Sequence, residues 1–174
     1  MENFLAFYGD GWYNITTIIL GGADMVLLVI SVLIWSLSVV AAVWAYWSDL
    51  AMGLFGILII PVFVEFISMI VMNTRNRHTE LEAPKVFRWL GRISYFYTAV
   101  NFAICAFILR DGGPMIDNGV YCLWDHGFVR ELTLEEYQYY LLVDARFFCG
   151  HLVLFAAAPM EAFAARYRQK KKQQ

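Results

Sequence analysis

The sequence predicts an all-α, polytopic membrane protein, with four transmembrane helices in one bundle and both the N and C termini cytosolic. Three observations point there. Hydrophobic residues make up 60% of the chain and charged residues 16%, against about 25% charged in soluble domains. That much apolar surface requires lipid rather than a larger core. A nearly unbroken apolar block runs from Met25 to Met72, divided at Ser48-Asp49, and a lipid-spanning helix needs about 20 mostly apolar residues, so the block holds two spans. Finally, the basic residues are segregated along the chain, although the net charge is only −2.

Residues 1–24 are aromatic and faintly apolar, with Glu2 and Asp10 but no Lys or Arg. Trp and Tyr favour the headgroup layer, so this stretch reads as an interfacial segment, with Asp24 as the N-cap of the first span. No cleavable signal peptide is visible in it. Asn14-Ile15-Thr16 is a formal glycosylation sequon, which the cytosolic topology leaves unused. Span one covers 25–47 and ends in Trp44, Tyr46 and Trp47, an aromatic belt. The tight turn at Ser48-Asp49 makes span two, 50–72, an antiparallel neighbour. Pro61 removes one helical hydrogen bond from it and predicts a kink.

A polar linker covers 73–92, where Thr79 and Glu82 have capping-box spacing. Span three is 89–109. Residues 110–140 form a lumenal loop and helix extension: Asp111-Gly112-Gly113-Pro114 is a turn signature, and Thr133 with Glu136 is a second capping box. It opens a helix through a fourth span, 141–165, kinked at Pro159 and rich in alanine, which suits close packing. A basic cytosolic tail, 166–174, follows. With no internal repeat and no low-complexity linker, 1–174 is one domain.

Basic flanks mark the cytosolic side. With four spans, Arg75, Arg77, Lys85, Arg88, Arg92, Arg166, Arg168, Lys170, Lys171 and Lys172 share one side, and Arg110, Arg130 and Arg146 the other. The larger group places both termini in the cytosol. There, Arg75, Arg77, Lys85 and Arg88 match anionic headgroups, at about 1 kcal/mol per basic residue near the surface. Lys171 and Lys172, fourth and third from the end of the sequence, match the dilysine address that coat proteins read on endoplasmic reticulum residents. Such an address changes location without anchoring anything.

Glu65 lies inside span two, where a carboxylate must protonate or find a partner. Ser68 shares nearly its face at i+3, and Arg92 could reach it by snorkelling. Asn101 suits an interhelical hydrogen bond of about 1 kcal/mol. Asp144 and His151 lie near one stripe of the last helix, either as packing groups or as a proton relay. Glu161, with Arg166 beyond it, belongs at the cytosolic mouth. Cys105, Cys122 and Cys149 have no paired or zinc-ligand spacing, and Asp125-His126 has no companion ligands. No phosphate loop, nucleophile elbow or triad pattern is present. Neither a catalytic residue, a cofactor, a metal nor a nucleic-acid partner is expected.

The expected partners are membrane lipids, other integral membrane subunits and the coat proteins. The first functional reading is a non-enzymatic subunit or adaptor of a larger endoplasmic reticulum membrane complex. The alternatives are a cation or proton channel or carrier built on Glu65, and a lipid-handling accessory protein.

Overall fold

A computed structural model describes the backbone of residues 2–75 and 82–173 and the side chains of 23–74 and 82–172. Four of its helices are long and apolar enough to cross a membrane. The first, α1 (Glu2–Trp44), is continuous, and among the described residues its candidate membrane-crossing part is Ala23–Trp44. This corrects the N-cap at Asp24. The Asp24 carboxylate is buried against Arg166 and Lys170. A carboxylate turned to two cations on another helix does not cap its own, so the helix continues through it.

Residues 45–50 form a short turn into α2 (Ala51–Arg75), which runs through Pro61. The third helix, α3 (Lys85–Ile108), starts earlier than the predicted span, so Lys85, Arg88 and Arg92 belong to it rather than to a linker. Its N-cap is Pro84, with no side-chain cap. Thr79 lies outside the described residues, and Glu82 pairs with Arg88 instead.

The predicted lumenal loop contains a three-stranded antiparallel sheet in the order β1 (Gly113–Asp117), β2 (Val120–Trp124), β3 (Phe128–Glu131). All-α is therefore incomplete: the chain is mostly helical, with one small sheet. The first hairpin turns on Asn118 and Gly119, at φ 48° and 84°. Positive φ at both central residues is the type I′ geometry that Asn-Gly favours. Arg130 on β3 pairs with Glu136 at 3.1 Å.

The last helix, α4 (Leu134–Gln173), opens on a complete capping box. The Thr133 amide donates to Glu136 Oε2 at 2.8 Å, and the Glu136 amide to Thr133 Oγ1 at 3.2 Å. It runs past the predicted end at 165, so the basic tail is helical. Lys, Arg and Gln are good helix formers, and cations suit a helix C-terminus.

The centre of the fold is α4, not the α1–α2 hairpin. It packs against each of the other three helices, and 44% of its most apolar stretch is buried, against 17–22% for the others. Alanine explains why. Ala145, Ala156, Ala157, Ala164 and Ala165 are buried, and small side chains let backbones approach closely where lipid provides no hydrophobic drive.

Candidate functional site

Ala158, Ala162 and Ala165 fall at i, i+4 and i+7, one face of α4. α2 and α3 flank that face, and the small side chains leave a cavity of about 440 Å³ between them. Met69 and Met72 line it from α2, Arg88 and Tyr95 from α3, and Glu161 and Arg166 from α4. The apolar walls therefore come from α2 and the alanines, while the charges come from α3 and the end of α4.

Ion pairs frame this end of the bundle. Arg166 Nε lies 2.9 Å from Asp24 Oδ1, and Lys170 Nζ pairs with Asp24 Oδ2. Arg88 Nη1 lies 2.6 Å from Glu82 Oε1, with Arg168 Nη1 3.8 Å from Oε2. Tyr95 donates to Glu161 Oε2 at 3.3 Å. The same oxygen lies 2.6 Å from where a Cβ on Gly91 would be, so glycine there lets the carboxylate lie across α3. Lys85 is exposed at the start of α3. Arg77 and the side chain of Arg75 lie outside the described residues. Lys171 and Lys172 are exposed on the last turn of α4. The Asp24 triad was missed in the sequence, although a four-span topology puts Asp24 level with Arg166 and Lys170.

Glu65 is buried between α1 and α2, with Ser31 Oγ 3.0 Å from Oε1. Ser31 Oγ also lies 2.9 Å from the Leu27 carbonyl. A hydroxyl has one proton, so Ser31 shares it between the Leu27 carbonyl and the Glu65 carboxyl. Neither predicted companion joins them. Ser68 donates to the Val64 carbonyl of its own helix, 2.7 Å away, the usual satisfaction of a mid-helix serine. Arg92 is exposed on α3, with its guanidinium 5.9 Å from the Trp89 ring centroid.

The α3–α4 seam holds the other polar candidates. Asn101 Nδ2 donates to the Arg146 carbonyl at 2.9 Å, and Cys105 Sγ approaches Asn101 Oδ1 at 3.7 Å. Thr98 donates to the Gly150 carbonyl at 3.1 Å, and Trp35 on α1 to Ser94 at 3.0 Å. His151 Nδ1 lies 2.6 Å from the Phe147 carbonyl, against Phe102 and Phe147. No hydrogen bond joins it to Asp144. At the far end, Arg146 donates to the Ala45 and Tyr46 carbonyls, each at 3.3 Å, and stacks on Tyr46. It thereby satisfies carbonyls that the end of α1 leaves open, a role that counting it as a flanking charge of the lumenal side does not reveal.

Comparison with protein-family models, curated proteins and solved structures finds no match to this chain. Among the described residues, no group of three or more His, Cys, Asp and Glu could hold a metal ion. The arrangement presents a cavity with apolar walls and charged side chains at its mouth, and a small sheet between α3 and α4.

Proposed function

We propose that this chain is a non-enzymatic subunit or adaptor of a larger endoplasmic reticulum membrane complex, with both termini in the cytosol. One observation carries the reading, the outer face of the sheet. Strand register places Met115, Val120, Trp124 and Phe128 on one face, together with Cys122, which is buried among them. Tyr121, on the other face, stacks on Tyr137 of α4 with ring centroids 4.7 Å apart. Met115, Val120, Trp124 and Phe128 are 44%, 41%, 39% and 56% exposed, and Ile116 on the Tyr121 face is 51% exposed.

On this reading the patch stands clear of lipid. Arg146 marks the end of α1, and Tyr137 lies about 13 Å further along α4 at 1.5 Å per residue. The headgroup layer is only about 6 Å thick. An apolar patch in water, with aromatic residues at its centre, has the composition of a protein contact. Apolar side chains along α1, α2 and α3 need only lipid as a neighbour and add nothing to the case. A channel built on Glu65 has one serine as the acid's hydrogen-bond partner among the described residues.

Mild-detergent purification tests the reading. The chain is expected to bring down stoichiometric membrane partners, and the double variant Trp124→Ser/Phe128→Ser to lose them with its melting temperature unchanged. A wild-type chain that runs alone at bundle size defeats the proposal. Residence rests on Lys171 and Lys172. Replacing both by Ser is expected to release the protein to later compartments, and an unchanged location removes the address.

A further inference from the structure

We infer that the cleft over α4, between α2 and α3, is a binding site for one glycerophospholipid with a primary ammonium headgroup. The cavity of about 440 Å³ sits at the end of the bundle where the spans run into Arg166, Arg168 and Lys170. Its charges are arranged unevenly. Arg166 is held by Asp24 and Arg88 by Glu82. Glu161, half-buried, accepts from the Tyr95 phenol and has no cation within ion-pair distance among the described residues. The cavity therefore presents one carboxylate in need of a positive partner. An ammonium has three donors, enough for the Glu161 carboxylate and the Tyr95 oxygen together. A quaternary choline nitrogen has none.

The phosphate falls to Arg88. Its Glu82 partner is 64% exposed, and an exposed ion pair contributes little, about 0–1 kcal/mol. Exchanging that carboxylate for a phosphate is therefore easy, and a guanidinium binds phosphate in bidentate fashion. Arg88 and Gly91, which carries the Glu161 carboxylate, are one turn apart on α3, a separation of about 5–6 Å. A phosphate and an ammonium two carbons apart bridge such a gap.

Further into the spans the same face of α4 continues as Phe155, His151 and Phe148, which with Phe55, Ile59 and Phe63 line a second, apolar hollow of about 210 Å³. That track suits an acyl chain. A protein helix fits poorly: at about 10 Å diameter and 5.4 Å pitch, the larger cavity holds only about one turn. The cleft holds its lipid whether or not a protein partner covers the sheet.

Native mass spectrometry of the full chain, delipidated and titrated with phosphatidylethanolamine, phosphatidylcholine and phosphatidylglycerol of matched acyl chains, tests the inference. One phosphatidylethanolamine is expected per chain, favoured at least tenfold over the other two. Glu161→Gln is expected to abolish the preference, and Ala162→Phe to abolish binding of all three. A photoactivatable phosphatidylethanolamine on the wild-type chain, expected to label the segment 155–166, keeps the test valid should Ala162→Phe misfold. Equal binding of the choline lipid, preference for the anionic lipid, labelling elsewhere, or a cleft filled by a second protein without lipid would each overturn the assignment.

Discussion

Asp24→Ala is expected to lower the stability of the detergent-solubilised bundle by about 3 kcal/mol, the low end for removing one partner of a buried ion pair. Asp24 is 3% exposed and holds two cations, Arg166 and Lys170, whose side chains are 26% and 28% exposed. Without the carboxylate, Arg166 and Lys170 lose the acceptor they share, and two positive charges face each other beside α1. At roughly 2–4 °C per kcal/mol for a chain of this size, the midpoint should fall by about 6–12 °C. The loss is expected to resist added salt, because buried pairs are screened much less than surface pairs. The triple variant Asp24→Leu/Arg166→Met/Lys170→Met is expected to recover most of it, since a buried ionic cluster replaced whole by apolar side chains is often neutral or better. Thermal unfolding of the three proteins side by side measures this. A single variant that melts with the wild type would mean that the triad does not hold α1 to α4.

The second large effect is expected at the α3–α4 seam. A Cβ on Gly150 would lie 2.3 Å from Asn101 Nδ2 and 3.2 Å from Asn101 Cγ. The amide cannot swing aside without cost, because it is bonded to the Arg146 carbonyl at one end and meets Cys105 Sγ at the other. Gly150→Ala should therefore break that hydrogen bond or push α3 outward, losing about 2 kcal/mol, within the range for overpacking a fitted contact. Asn101→Ala alone should lose about 1 kcal/mol, the scale of an interhelical hydrogen bond in a membrane. The two are expected not to add. With the amide gone, the new methyl fills the vacated space, and a double-mutant cycle should show coupling of at least about 0.5 kcal/mol. Strict additivity would place the strain of Gly150→Ala somewhere other than Asn101.

Much of the helical frame is legible in the residues. The apolar block from Met25 to Met72 covers the candidate spans of α1 and α2 except for the first two residues of the α1 span and the last two of the α2 span, and Thr133 with Glu136 marks the start of α4. Such signals are local: a cap needs residues three apart, and a span needs a run of apolar side chains. Asn118-Gly119, between Met115-Ile116 and Val120-Tyr121, is an equally local hairpin signal, and the 110–140 loop hides a sheet only when that pair is passed over. The site was not legible in the same way. Asp24 has good N-cap chemistry in its own neighbourhood, and Arg166 and Lys170, which claim its carboxylate, lie far along the chain. Glu65 draws attention as an intramembrane acid, yet its neighbour is Ser31 on α1 rather than Ser68 or Arg92, because helix packing and not sequence spacing decides which side chains meet.

By itself, the sequence determined that four helices are long and apolar enough to cross a membrane, because that property is a sum over side chains and survives any arrangement of them. Tertiary structure alone decided that α4 is the hub, that Asp24 faces two cations, and that Glu161 stands beside a cavity with no cation paired to it among the described residues. Those outcomes depend on where alanines let helices close up and where they leave space. Distances between residues remote in the chain set them, and no window of sequence contains those distances.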